Sequence, residues 1–380
     1  MTAALGSLQV LDFSRVLAGP FATMMLADLG AVVTKIERPE TGDDTRSWGP
    51  PYDDQGQATY FASVNRNKDS LVLDLTDPGD LATARRLAGK ADVIVENFRP
   101  GVMDRLGLGD DALRPDNPGL VYCSISGFGA GPGSDLPGYD LLVQALGGLM
   151  SVTGSVDGEP QKVGVALVDV LAGLFATVGI LAAVHHRTTT GLGQRVEVNL
   201  LSALLAALVN QGAAFTAGGV VPARMGNAHP SIAPYEVLPA GDGDLVLAVG
   251  TDRQFAALCE VLERPALAAD DRFSTNSNRV AHRAALRAAL GQRLVTRPAA
   301  HWAAALAEVG VPAGQVNDVA AAFGLAAQLG LDPVVHLPRP DGSTVALTRN
   351  PIGLSVTPAT YRTAPAVFVQ AAGAADVPTV

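Results

Sequence analysis

The chain has 380 residues, 48% of them hydrophobic, 17% charged and 5% aromatic, with a formal net charge of −10. That length exceeds one compact domain, and the balance is that of a globular protein with a large aliphatic core, which excludes a disordered or fibrous chain. The acidic surface argues against a nucleic-acid binder, so any anionic ligand must be held by a local cluster of Arg and Lys set against the global charge.

The opening MTAALGSLQVLDFS has neither a basic cluster nor a long apolar run, so no signal peptide is expected. Residues 8–13 (LQVLDF) predict a strand. The turn SRVLAG follows, then Pro20 at the first position of an apolar helix FATMMLADL closed by Gly30, then a second strand AVVTKIE (31–37). A second βαβ unit comprises SLVLDL (70–75), a helix from Pro78 to about Lys90 and DVIVEN (92–97). After a short helix near 101–106, GLVYCSIS (119–126) is a further strand. Strands that are apolar along their length and alternate with helices predict an α/β fold with a parallel sheet covered on both faces. Residues 140–210 are helical apart from TTTGLGQRVEV, a turn and short strand. The longest apolar stretch, about 163–185, contains Asp169 and several glycines and reads as a buried core helix, not a membrane span, so no membrane association is expected. The Gly/Pro-rich stretch near 216–234 predicts a linker, and 235–325 a smaller α/β domain. Residues 326–380 return to complete the large domain formed by 1–215.

Ligands of a parallel sheet gather at the carboxyl ends of its strands. Those ends carry Ser14, Arg15 and Val16 after the first strand and Arg38 after the second. Asn97, Phe98 and Arg99 follow the strand ending at Glu96, with Arg105 just beyond. Pairing with Asp43, Asp44 or Asp104 explains any one of these arginines equally well. As a group at successive strand ends of an acidic protein, they point to a phosphate-rich ligand.

GFGAGPG (127–133) follows a strand, but Pro132 and the glycines oppose an immediate helix, so it reads as a loop and not a dinucleotide fingerprint. Cys123 and Cys259 lack metal-site spacing and read as small core residues of a reducing, cytoplasmic compartment. His229 in GNAHPSIAP lacks the partner spacing of a general base and reads as a capping residue. His185 and His186 occupy the last turn of a helix, where a cation is favourable. No metal is expected.

Asp169 lies in VGVALVDVLAGLFATVGILAAV (163–184), with apolar residues on both sides. A carboxylate there must be capped, paired or protonated. The plain reading is an N-cap that accepts the N–H of residue 171 or 172. A nucleophile kept ionised by the helix N-terminus is compatible with it.

Seven segments carry a resemblance: LDFSRVLAGPFATMMLADLGAVVTKIERPETGDDTR (11–46), NRNKDSLVLDL (65–75), VENFRPGVMDRLGL (95–108), GYDLLVQALGGLMSVTG (138–154), ALVDVLAG (166–173), TGLGQRVEVNLL (190–201) and RMGNAHPSIAPY (224–235). In order, from about residue 5 to 358, they resemble the family III CoA-transferases of the CaiB/BaiF type, which include formyl-CoA transferase, carnitine CoA-transferase and the 2-methylacyl-CoA racemases. The resemblance implies a Rossmann-like large domain, a smaller domain and an interlocked homodimer. It implies Asp169 as nucleophile and coenzyme A contacts at Val16, Arg38, Leu73, Asn97, Phe98, Arg99, Arg105 and Tyr139. The partners it implies are an acyl-CoA and a small carboxylic acid.

A carboxylate that attacks a thioester forms an acyl-aspartyl anhydride, and returning thiolate converts it to an aspartyl-CoA thioester. Each step needs oxyanion donors, for which Gly250, Gly138 or the Tyr139 hydroxyl are the candidates. Some transferases of the family carry Gln where this chain has Leu17, which puts an oxalate-type substrate in doubt. The end TAPAVFVQAAGAADVPTV also departs from the family pattern. Two other readings stand beside transfer. A racemase would need a His where Tyr139 stands, and an unperturbed tyrosine is a poor base at neutral pH. A CoA-binding module without catalysis would show binding and no thioester exchange.

Overall fold

The computed structural model describes residues 3–369. Of these, its first unit comprises 3–149, 163–220 and 332–369; its second comprises 150–162 and 221–331. Residues 150–162 and 326–331, expected within the large domain, thus fall in the second unit. Residues 370–380 of the divergent tail lie outside the described residues.

The main sheet of the first unit is built from β1 (Gln9–Asp12), β2 (Val32–Glu37), β3 (Lys68–Val72), β4 (Val93–Glu96), β5 (Val121–Ser126) and β6 (Arg195–Asn199). They form one sheet in the order β3-β2-β1-β4-β5-β6, every pair parallel. Its helices are α1 (Ala18–Asp28), α2 (Thr59–Val64), α3 (Pro78–Ala88), α4 (Val102–Arg105), α5 (Asp110–Leu113), α6 (Asp140–Leu146), α8 (Leu167–Thr190), α9 (Leu200–Ala207) and α10 (Val209–Thr216); α7 (Leu149–Val152) spans the boundary of the two units. Pro20 is the third residue of α1, not the first, still within the turn whose N–H groups have no intrahelical partner.

Because side chains alternate across a strand, each of the central strands β1, β2, β4 and β5 feeds two cores. Val93 and Val95 enter one with Ala22, Leu26, Ala172 and Ile180. Ile94, between them, enters the other with Ala84, Ala88, Met103 and Leu113. Burial on both faces is why these strands read as continuous apolar runs.

Helix α8 is 24 residues long and, over an 18-residue window, apolar enough to cross a bilayer by length and composition. Val168, Ala172, Ala176, Ile180 and Ala183, spaced three or four apart, bury one stripe in the first core. Gly173 lets α1 approach, since a Cβ there would stand 2.6 Å from the Ala18 carbonyl oxygen. Truncating Ile180 to Ala would cost roughly 2–5 kcal/mol through the cavity left behind.

The segment from 332 carries the hairpin β10 (Val334–Pro338) and β11 (Thr344–Thr348). A buried carboxylate ties it to α1 and β3. Asp28 accepts from Arg66 Nη2 at 2.6 Å, Asn67 Nδ2 at 2.8 Å and Asn350 Nδ2 at 3.1 Å. Arg66 also donates to the Thr348 carbonyl at 2.9 Å.

In the second unit, β7 (Tyr235–Pro239), β8 (Asp244–Ala248) and β9 (Ala313–Gln315) form an antiparallel sheet. Helices α11 (Asp252–Val261), α12 (Asn276–Ala281), α13 (Arg283–Leu294) and α14 (Ala299–Glu308) cover it, with Leu245, Leu258, Leu290 and Trp302 in its core. Helix α15 (Val319–Gln328) follows. Residues 217–234 carry neither helix nor strand.

Candidate active site

The strand order reverses direction between β1 and β4, and at such a switch point the loops after the two strands part to leave a crevice. The loop after β1 is held open by two side chains. Asn97, just after β4, accepts the Arg15 N–H at 2.8 Å through Oδ1 and donates to the Arg15 carbonyl at 2.7 Å through Nδ2. Asp43 Oδ1 accepts the N–H of Val16 at 3.3 Å. Val16 has φ 71°, a strained value for a β-branched residue, which persists only where its surroundings fix it.

Beneath this loop lies a buried ionic network. Asp12 accepts from Ser14 N–H at 2.9 Å, Thr23 Oγ1 at 2.6 Å and Lys68 Nζ at 3.2 Å. Lys35 Nζ donates to the Ser14 carbonyl at 2.7 Å and pairs with Asp43 at 2.9 Å. Burial acts to raise both carboxyl groups; Lys68 and Lys35 overcome it at Asp12, and Lys35 with Thr45 at Asp43, holding both below the usual carboxylate range. Lys68 is lowered to about 8, chiefly by burial against the pull of Asp12. The network anchors the loop; none of its charges lines the crevice.

A single cleft of about 230 Å³ collects Val16, Asn97, Phe98, Arg99, Tyr139 and Asp169, with Arg15, Leu17, Asp44 and Gly138 also in its wall. Its far wall is the 127–139 segment, a loop with no immediate helix. Gly127 and Gly138 pinch its base: a Cβ on Gly127 would stand 2.4 Å from the Gly138 Cα. The arginines at the ends of β2, β1 and β4 come from three adjacent strands. Arg99 lines the cleft; Arg38 is exposed at the rim and joined to it through Asp44.

Two further candidates, Leu73 and Arg105, do not line the cleft. Leu73 is 5% exposed in the second core, so a ligand could reach only main chain there. Arg105 closes α4, exposed. Gly250 belongs to the second unit, where its N–H donates to Gln254 Oε1 at 3.0 Å.

Asp169 is the third residue of α8, not its N-cap, which is Ala166. The capping acceptor comes from another helix. Asp140, first residue of α6, accepts the N–H of Val168 at 2.8 Å and of Asp169 at 3.2 Å through Oδ1. Its other oxygen accepts from Gln144 Nε2 at 2.6 Å. Gln144 Oε1 in turn accepts the N–H of Val163 at 2.9 Å, which fixes the approach to α8. The helix N-terminus therefore does not leave Asp169 readily ionised. It is only 8% exposed, and burial first, then the like charge of Asp140, push it up to about 7. A carboxylate so desolvated is a stronger nucleophile when ionised than one in water.

Neither Asp140 nor Tyr60 was among the residues expected from sequence. Tyr60 lies on α2, edge-on to Trp48 with ring centroids 5.2 Å apart. Its phenol is pushed up to about 12 by burial and then by Asp169, Asp140 and Asp43, so it shares their field. An Asp opening a helix can be found in sequence; its role across to a second helix needs the fold.

Residues 5–367 match the family described as CoA-transferase family III. The chain is 42% identical to the succinate–glutarate CoA-transferase of Agrobacterium fabrum over 94% of its own length and 91% of the relative's. It is 47% identical to the acetyl-CoA:oxalate CoA-transferase of Acetobacter aceti over 84% of this chain and 82% of the relative. A crystal structure of a CaiB/BaiF family protein from Brucella suis superimposes with a TM-score of 0.86 at 42% identity, covering 97% of each chain.

Proposed function

From the premise that this chain belongs to CoA-transferase family III, and so moves coenzyme A between carboxylic acids, we propose that Asp169 carries the transfer covalently. The observation that carries this reading is the position of Asp169: nearly buried, raised to about 7, and in the wall of the same cleft as Val16, Asn97, Phe98 and Arg99.

An ionised Asp169 oxygen attacks the thioester carbonyl; a C–O bond forms, the C–S bond breaks, and CoA leaves as thiolate. The thiolate attacks the aspartyl carbonyl of the resulting anhydride and releases the donor acid as carboxylate, leaving an aspartyl-CoA thioester. The acceptor carboxylate reverses both steps, so no net proton is needed. The anhydride and the thioester are similarly activated, which keeps each step near balance. Tyr139, 65% exposed, and Gly138 share the cleft wall with Asp169, which supports the Tyr139 hydroxyl and the Gly138 amide as the oxyanion donors. Gly250 would first have to release its bond to Gln254.

Arg38, Arg99 and Arg105 supply cations for the CoA phosphates, and Leu73 only main chain. The acceptor class is a short carboxylic acid, as in the names of the relatives; Leu17 offers it no hydrogen bond. Assembly is an interlocked homodimer, supported by apolar side chains left exposed on α8 to α10, among them Phe175, Val178, Val209 and Phe215. Two buried, unpaired cysteines, Cys123 and Cys259, fit a cytoplasmic location.

The test is thioester exchange across a panel of acyl-CoAs and free acids, followed by mass spectrometry. Asp169→Ala should abolish exchange while CoA still binds. Full turnover by that variant would overturn the proposal.

A further inference from the structure

At the mouth of the cleft one carboxylate is shared by two guanidinium groups. Asp44 Oδ1 accepts from Arg38 Nη2, and Asp44 Oδ2 stands 3.6 Å from Arg15 Nη1. The two arginines follow β1 and β2, which are neighbours in the sheet. Each is also steadied from a second side. Arg38 Nε donates to Thr41 Oγ1 at 2.6 Å, and the Arg15 guanidinium lies 5.0 Å over the Phe98 ring. Asp44 and Arg15 line the same cleft as Asp169.

We infer that Asp44 is an internal competitor for the phosphate of the incoming ligand. This rests on the reading of the strand-end arginines as the coenzyme A phosphate site. A carboxylate with one oxygen toward each guanidinium presents the acceptor pattern that two oxygens of a phosphate present. All three side chains are between a third and a half exposed, so their mutual attraction is weak and opens readily. A phosphate dianion brings twice the charge and a third acceptor oxygen, and displaces Asp44. A monocarboxylate brings no more charge than Asp44 already supplies, and does not. The carboxylate thus holds both arginines in a binding-ready arrangement while keeping free acids, the other substrate class of the reaction, off the phosphate site. Its neighbour Asp43 has a different task, being buried and bound to Lys35 and the Val16 amide.

The experiment is calorimetric titration of coenzyme A, and separately of acetate, into the full chain and into Asp44→Asn, Arg38→Ala and the double variant. Asp44→Asn should bind coenzyme A on the order of three- to tenfold more tightly, the size expected on freeing two partly exposed ion pairs. It should also gain measurable acetate competition with coenzyme A that wild type lacks. In the Arg38→Ala background the gain from Asp44→Asn should shrink, because one of the two competed cations is gone. Unchanged or weaker coenzyme A binding by Asp44→Asn would overturn the competitor role, even where Arg38→Ala weakens binding. Unchanged binding by Arg38→Ala would instead overturn the phosphate-site reading on which it rests.

Discussion

Asp140 Oδ1 accepts the backbone N–H of Asp169 at 3.2 Å, so one carboxylate caps the helix that carries another. Capping satisfies a helix terminus, but it also brings a like charge to the residue that must ionise, and Asp169 stands at about 7. Asn in place of Asp140 keeps the acceptor oxygen and removes the charge. The acid limb of kcat/KM, expected near pH 7 because only the ionised carboxylate attacks, should therefore move to lower pH in Asp140→Asn. Burial, the larger cause, remains, so the limb should stay above the range of an exposed aspartate. Asp140→Ala should lose about 0.5–2 kcal/mol of stability as well. An acid limb unmoved by Asp140→Asn would separate Asp140 from the titration.

The raised group also makes a stability prediction. Asp169 binds its proton more tightly folded than unfolded, so between its ordinary value of 3.8 and about 7 the native state holds more protons. Stability then falls as pH rises through that window, and the cost is fully present above it. Asp169→Asn avoids the cost. Its advantage over wild type in denaturant unfolding should grow by about 2–3 kcal/mol between pH 5 and pH 8. A pH-independent difference would contradict the raised value.

Arg38→Ala should raise KM for the acyl-CoA by roughly tenfold or more and leave kcat nearly unchanged, as expected when a charge-assisted contact to a remote phosphate is lost. The ionic-strength dependence of KM should weaken with it. A fall in kcat with unchanged KM would place Arg38 at the reacting atoms instead.

Asp43 and Val16 form a second testable pair. Asp43→Ala leaves Lys35 buried without its 2.9 Å partner and should cost about 3–5 kcal/mol. Val16→Gly relieves a positive φ of 71° and should be tolerated in thermal unfolding, near neutral or stabilising, with affinity for CoA nearly retained. A strongly destabilised Val16→Gly would show that the Val16 side chain, and not its backbone conformation, matters at this loop.

Much of the first unit was legible because burial on both faces leaves an unambiguous mark. Strands such as VIVE and VYCSIS are apolar at alternate residues facing opposite cores. The arginines after β1, β2 and β4 were legible for the same reason, since strand ends follow once the strands are placed. The start of α8 was not. Local rules read Asp169 as its own cap, whereas Asp140, 29 residues earlier, supplies the acceptor. Tyr60 escaped likewise, since its electrostatic coupling to Asp169 arises only when α2 folds against α1. Leu73 showed the reverse: a family position whose side chain points into the core.

The central claim is a covalent bond at Asp169, and isotope transfer tests it most directly. Acceptor acid labelled with oxygen-18 in its carboxylate attacks the aspartyl thioester, and cleavage on the acyl side of the anhydride leaves one labelled oxygen on the enzyme. After many turnovers, peptide mass spectrometry should find oxygen-18 in the Asp169 carboxylate and at no other acidic residue. Full exchange between acids with Asp169 left unlabelled would contradict the mechanism.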